Sequence, residues 1–262
     1  MILVHTRRQR AQKQRMPVFT TSDGVQLFYK KTGSGPPVIL IHGWSASHRS
    51  FDQNVEAIAK RCTVITPDLR FHGESDKPEW GFHVARLASD LRDLIAATGV
   101  ERPTVVGTSL GAAVIWSFVE LFGCGLLGRV CFVDQAPCQW KLPDWPHCSK
   151  GIYDEPSLAN ITAALDGGMS AFADGNAECC LTKSVPTTYL GVLKAETERC
   201  NPAHLARLMR DHAQLDWRPI LPCIALPALN IYGSDSGCFP VEVRGPTPVY
   251  IYIHVYVVSV FI

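Results

Sequence analysis

The pentapeptide Gly107-Thr108-Ser109-Leu110-Gly111 constrains this chain more than any other feature. It joins a short apolar run, Pro103-Thr104-Val105-Val106, to a helical pattern that begins at Ala112. Gly-x-Ser-x-Gly between a strand and a helix demands a sharp, strained turn that lifts the serine Oγ clear of the end of a sheet. Glycine is needed on either side because a side chain would collide where strand and helix cross. The pentapeptide is short enough to recur by chance. Its strand–turn–helix setting is what points to a nucleophile at Ser109.

The surrounding elements alternate. Val18-Phe19-Thr20-Thr21 and residues 25–31 predict a hairpin around the turn Ser22-Asp23-Gly24. Val38-Ile39-Leu40-Ile41 is a continuous apolar run, as in a strand buried on both faces. Residues 51–60 predict a short helix, 62–66 a strand, and 129–133 a strand ending at Asp134. Over 82–98, Val84, Leu87, Leu91, Leu94 and Ile95 recur at helical spacing. This order predicts an α/β fold with a mostly parallel, doubly wound sheet and helices on both faces. From about 138 to 203 the chain turns to short helical pieces rich in Trp, Pro and Cys, too long for a plain connection. A helical lid is expected there, with the core resuming in a helix over 202–215 and a strand over 228–232.

The length of 262 residues suits one large α/β domain or two small ones, and is enough to bury a core without disulfides. A net charge of +1 gives no global attraction to nucleic acid. The ten cysteines include no Cys-x-x-Cys pair, so no structural zinc site is expected and the thiols read as reduced. The start lacks an apolar signal segment and no run reaches the roughly 20 residues of a membrane span, so a cytoplasmic protein is expected. Residues 1–15 carry Arg7, Arg8, Arg10, Lys13 and Arg15 without an acid and are expected to be a disordered extension. The oligomeric state is left open.

Other motifs sit where an acyl-transfer site needs them. Such a site requires two backbone N–H groups facing the developing oxyanion. Leu110 follows the nucleophile and supplies one. The loop Ile41-His42-Gly43-Trp44 supplies the other at Trp44, with Gly43 allowing close approach. Residues 67–75 hold Asp68, Arg70 and His72, best read as a loop held by internal hydrogen bonds. Gly233-Ser234-Asp235-Ser236 ends a strand, and Asp235 is the expected acid that orients an imidazole. Asp134 competes with it, ending another strand beside the elbow.

Together, Ile39 to Trp44, Asp68 to Ser75, Gly107 to Gly111, Val133 to Pro137 and Tyr232 to Asp235 resemble the α/β-hydrolase superfamily over about residues 16–242. The resemblance is greatest to lid-bearing serine esterases and the cofactor-free haloperoxidase-like group. It implies Ser109 as nucleophile, Trp44 and Leu110 as oxyanion-hole donors, Asp235 as acid, and a histidine after the last strand. Serine at 109 argues against the branches that use aspartate there. The resemblance implies hydrolysis of a small apolar ester or related acyl substrate, with no metal and no organic cofactor. Trp140, Trp145 and Tyr153 in the lid suggest an apolar pocket. The alternatives are a perhydrolase or haloperoxidase-like activity on the same residues, and a ligand-binding protein without catalysis.

The expected histidine does not appear in the expected place. Only 18 residues separate Asp235 from His254, too few for a helix, a strand and a loop of normal length. His254 lies within a β-branched and aromatic run and reads as a strand histidine. Residues 243–262 therefore read as an atypical apolar tail, of a composition that read-through or an alternative exon would produce, although its strand propensity would also let it pair with the open sheet edge in place of the missing strand. The last helix and strand of the fold are expected to be missing, and the activity of the chain to be reduced with them.

Overall fold

The computed structural model describes residues 17–181 and 185–240, and the backbone of residues 253–256. Strands β1 (Val18–Thr20), β2 (Gln26–Thr32), β3 (Pro37–Ile41), β4 (Thr63–Pro67), β5 (Thr104–Thr108), β6 (Arg129–Val133), β7 (Ala228–Tyr232) and β8 (Ile253–Tyr256) form one sheet. Their spatial order is β1-β2-β4-β3-β5-β6-β7-β8. β2 runs antiparallel to both of its neighbours, and every pair from β4 to β8 is parallel. The expected hairpin and the mostly parallel sheet are therefore both present.

Helices α1 (Asp52–Ala59), α2 (Val84–Thr98) and α3 (Leu110–Phe122) cover the central strands. β3 alternates between two cores, as a strand buried on both faces must. Ile39 and Ile41 join the large cluster with α2 and α3, whereas Leu40 joins Phe51 and Val64 in a smaller cluster beneath α1. Residues 110–119 of α3 are all buried, so this helix is apolar on every side and lies at the centre of the molecule.

Three further helices, α4 (Glu155–Asp166), α5 (Met169–Cys180) and α6 (Thr187–Glu198), are inserted between β6 and α7 (Pro202–Gln214). The capping box of Asp154 and Ser157 starts α4, and the Asn201 side chain caps α7. No described helix is long and apolar enough to cross a membrane.

The C-terminal expectation needs one correction. Ile253–Tyr256 pairs with β7 in parallel, so the last strand of the sheet is supplied by the run read as a tail. A charge-free, β-branched segment satisfies the open N–H and C=O groups of β7, which outweighs its unusual composition. The expectations for residues 1–15, for the helix after β7 and for the rest of the tail lie outside the described residues.

Candidate active site

The elbow is built as its glycines require. Ser109 is the single residue between β5 and α3, and its φ of 51° is left-handed. A Cβ on Gly107 would overlap the Gly111 carbonyl, and one on Gly111 would overlap the Ile41 carbonyl. The Ser109 N–H donates to Val133 O at 2.9 Å, and its Oγ donates to Gln135 Oε1 at 3.3 Å. Leu110 is the first residue of α3, so its N–H belongs to the turn that lacks intrahelical acceptors.

Gly43 abuts the serine: a Cβ there would lie 3.3 Å from Ser109 Cβ. Two buried imidazoles brace this loop. His42 donates through Nδ1 to Gly43 O at 2.7 Å and accepts the Leu69 N–H on Nε2 at 3.0 Å. His72 accepts the Ser45 N–H on Nε2 at 3.1 Å and donates through Nδ1 to Arg70 O at 2.9 Å. Accepting on Nε2 requires both rings to be neutral. Burial pushes both pKa values down, that of His72 to about 3. The Trp44 indole N–H donates to Leu205 O at 3.1 Å, and its ring meets Phe172 of α5 edge-on. The loop from β3 is thus held from below by histidines and from above by the inserted helices.

Asp68 accepts from His48 N, His48 Nδ1 and Glu74 N at 2.6–2.8 Å and is fully buried. Arg70, also fully buried, pairs with Asp90 and Asp23. The charged loop after β4 is a structural knot, as its sequence suggests.

The two candidate acids differ in their surroundings. Asp134 follows β6, has φ 48°, and sits beside Ser109 by register because Thr108 pairs with Val133. Its carboxylate accepts from Ser236 Oγ at 2.7 Å and from the Gly233 N–H at 3.5 Å. Burial pushes its pKa up despite those hydrogen bonds. Asp235 is exposed and accepts from its neighbour Ser234 Oγ at 3.2 Å. The β7 turn thus points Ser236, not Asp235, inward. Ser236 and Gln135 carry no sequence signal, since a turn serine and a strand-end glutamine are ordinary.

Ser109, Asp134 and Trp44 line one pocket of about 900 Å³, part of it open to solvent. Ala173 and Ala177 of α5 and Leu193 of α6 form apolar walls. The inserted aromatics do not: Trp140 packs on the cluster of Ile152, Leu158 and Met209, Trp145 packs on His147, and Tyr153 is exposed.

No described histidine nitrogen is hydrogen-bonded to Ser109. His48 is held by Asp68, His83 by Asp211 and His204 by Glu79. The β8 register sets His254 opposite Asn230, and β8 is three strands from β5.

Comparisons with known proteins agree with the topology. A family model described as alpha/beta hydrolase fold matches residues 36–127. An uncharacterized protein of Mycobacterium tuberculosis is 40% identical over 248 residues, covering 86% of this chain and 68% of that one. A non-heme chloroperoxidase of Kitasatospora aureofaciens is 34% identical over 242 residues, covering 88% and 85%. An esterase from Exiguobacterium antarcticum superposes with a TM-score of 0.82 at 19% identity, covering 87% of this chain and 85% of that one, a likeness of fold. Strand order, elbow and kinship converge, and the chain belongs to the α/β-hydrolase family.

Proposed function

We propose that the pocket is a carboxylic-ester site in which Ser109 Oγ is the nucleophile, the N–H groups of Trp44 and Leu110 hold the oxyanion, and Asp134 is the working carboxylate. The observation that carries this reading is the pair of left-handed residues, Ser109 and Asp134, at the ends of neighbouring strands on the wall of one roofed pocket. Such backbone costs about 1–3 kcal/mol per residue and persists where the surrounding structure holds it, commonly at functional sites.

Ser109 Oγ bonds to the ester carbonyl carbon, and the displaced electron pair moves onto the oxygen between the two N–H groups. Collapse expels the alcohol, and water then releases the acid from the acyl-serine. The serine proton needs an acceptor, and no described histidine nitrogen is hydrogen-bonded to Ser109. Asp134, on the wall of the same pocket, takes it and returns it to the departing alkoxide, and burial, which raises its pKa, favours that role. Loss of histidine from a triad costs on the order of 10⁶ in kcat, or about 8 kcal/mol of barrier, so turnover is slow. The walls at Ala173, Ala177 and Leu193 favour small, mostly apolar acyl groups.

Incubation of the folded chain with a fluorophosphonate probe tests the reading. Covalent labelling at Ser109, abolished in Ser109→Ala, is expected. A folded wild-type protein that remains unlabelled at saturating probe would overturn it. A second reading, capture of an acyl ligand without turnover, is favoured by the commitment of His42, His48 and His72 to the scaffold. Saturable ester binding without labelling or alcohol release would select it.

A further inference from the structure

Three thiols meet where the inserted helices touch the core. Cys179 and Cys180 end α5, and Cys238 lies on the turn after β7. Cys180 Sγ and Cys238 Sγ are 3.8 Å apart, and Cys179 Sγ lies 3.9 Å from Gly237 O. The two backbones are in contact, since a Cβ on Gly237 would overlap the Cys179 carbonyl. Cys180 and Cys238 both line the pocket that holds Ser109 and Asp134. Cys180 is exposed and Cys238 partly so, which leaves the pair open to a small oxidant.

We propose that Cys180 and Cys238 form a reversible dithiol–disulfide pair that fastens the roof of the pocket to the core. The sulfurs must close from 3.8 Å to about 2.0 Å, a movement that the end of a helix and a surface turn can supply. With hydrogen peroxide as oxidant, a thiolate attacks one peroxide oxygen and breaks the O–O bond, giving a sulfenic acid and, after protonation, water. The second thiolate attacks that sulfur and expels hydroxide, which becomes a second water on protonation. Two thiols lose two electrons and two protons, and one peroxide becomes two waters. An external dithiol reverses the bond by thiol–disulfide exchange, leaving both cysteines as thiols and becoming a disulfide itself.

The link would act on the site through Ser236. The Cys238 N–H donates to Ser236 Oγ at 3.1 Å, and that hydroxyl holds Asp134 at 2.7 Å. The bond therefore joins α5, one side of the roof, to the turn that positions the carboxylate. The gating consequence rests on the pocket assigned above; the cross-link itself does not.

The whole chain, reduced and then exposed to hydrogen peroxide, is alkylated and analysed by intact mass and peptide mapping. A loss of 2 Da, as the two departing thiol hydrogens require, is expected, with one peptide linking 180 to 238. The link should form in Cys179→Ser and be absent from Cys180→Ser and Cys238→Ser. Affinity for 8-anilinonaphthalene-1-sulfonate should fall at least fivefold on oxidation, recover with dithiothreitol, and stay constant in Cys238→Ser. A link that runs through Cys179, or no link at all, overturns the pair. A proven 180–238 link with unchanged dye affinity overturns the gating while leaving the ester-site reading untouched.

Discussion

At the scale of single residues, the site is an arrangement of backbone strain and buried charge. Ser109 and Asp134 both hold left-handed backbone; the Ser109 N–H donates to Val133 O of the adjoining strand, and Asp134 accepts from Ser236 Oγ of the adjoining turn. Asp134 bears a further cost. Burial raises its pKa above the ordinary 3.8, so the folded state disfavours the charged form. Its ionisation therefore subtracts stability as pH rises from about 3.8 through the folded-state pKa. Asp134→Asn keeps a partner for Ser236 and removes that penalty, so its melting temperature at pH 7 should match or exceed that of the wild type. A fall of more than about 2 °C, on the order of 1 kcal/mol in a domain of this size, would contradict this. A residue that loses reactivity while gaining stability is held for chemistry. The elbow is legible in the sequence because its backbone admits few residues. The choice between Asp134 and Asp235 is not, because both end parallel strands, and the turn geometry that swings Ser236 inward leaves no compositional trace.

At the scale of elements, loops carry most of the organisation. The loop after β4 contains the buried Arg70, which reaches Asp90 at 2.6 and 2.7 Å and Asp23 at 3.0 and 3.1 Å. Burial pushes the Asp23 carboxyl up, but hydrogen bonds from Arg70 and Thr21 outweigh it and hold the group well below the usual range. Arg70→Ala would leave the buried Asp90 carboxylate with Arg86 as its cation and one oxygen short of a partner, at a cost of about 3 kcal/mol. Thermal or urea unfolding should show this loss, and a change below about 1 kcal/mol would show that the knot is not structural. Gly111→Ala should also destabilise the fold, because the new methyl meets the Ile41 carbonyl of the central strand. Strands β3 to β7 are legible as apolar runs bounded by turns. The inserted helices read as mere pieces because α4, α5 and α6 bury few residues each, which blurs the helical period.

For the whole molecule, the sheet order places Ser109 at the centre and a short paired strand at the far edge. Composition alone makes Ile253–Tyr256 look foreign to the domain, because edge pairing is a tertiary property that a local window does not contain. Deleting residues 243–262 should uncover the β7 edge and promote association, since an open, uncharged edge templates further strands. Size-exclusion chromatography with light scattering checks this. An unchanged elution profile and melting curve would show that β8 contributes nothing.

The central claim is that Ser109 reacts with Asp134 as its proton acceptor and without a histidine. The rate of fluorophosphonate labelling across pH 4–9 tests it most directly, measured for the wild type, Asp134→Asn, Asp235→Asn and His254→Ala. The account predicts slow labelling confined to Ser109, rising as Asp134 ionises above the usual carboxylate range. It predicts a fall of at least tenfold in Asp134→Asn, and rates within about twofold of wild type for the other two, on the order of 0.4 kcal/mol. Loss of labelling in His254→Ala or Asp235→Asn, with Asp134→Asn unaffected, would contradict it.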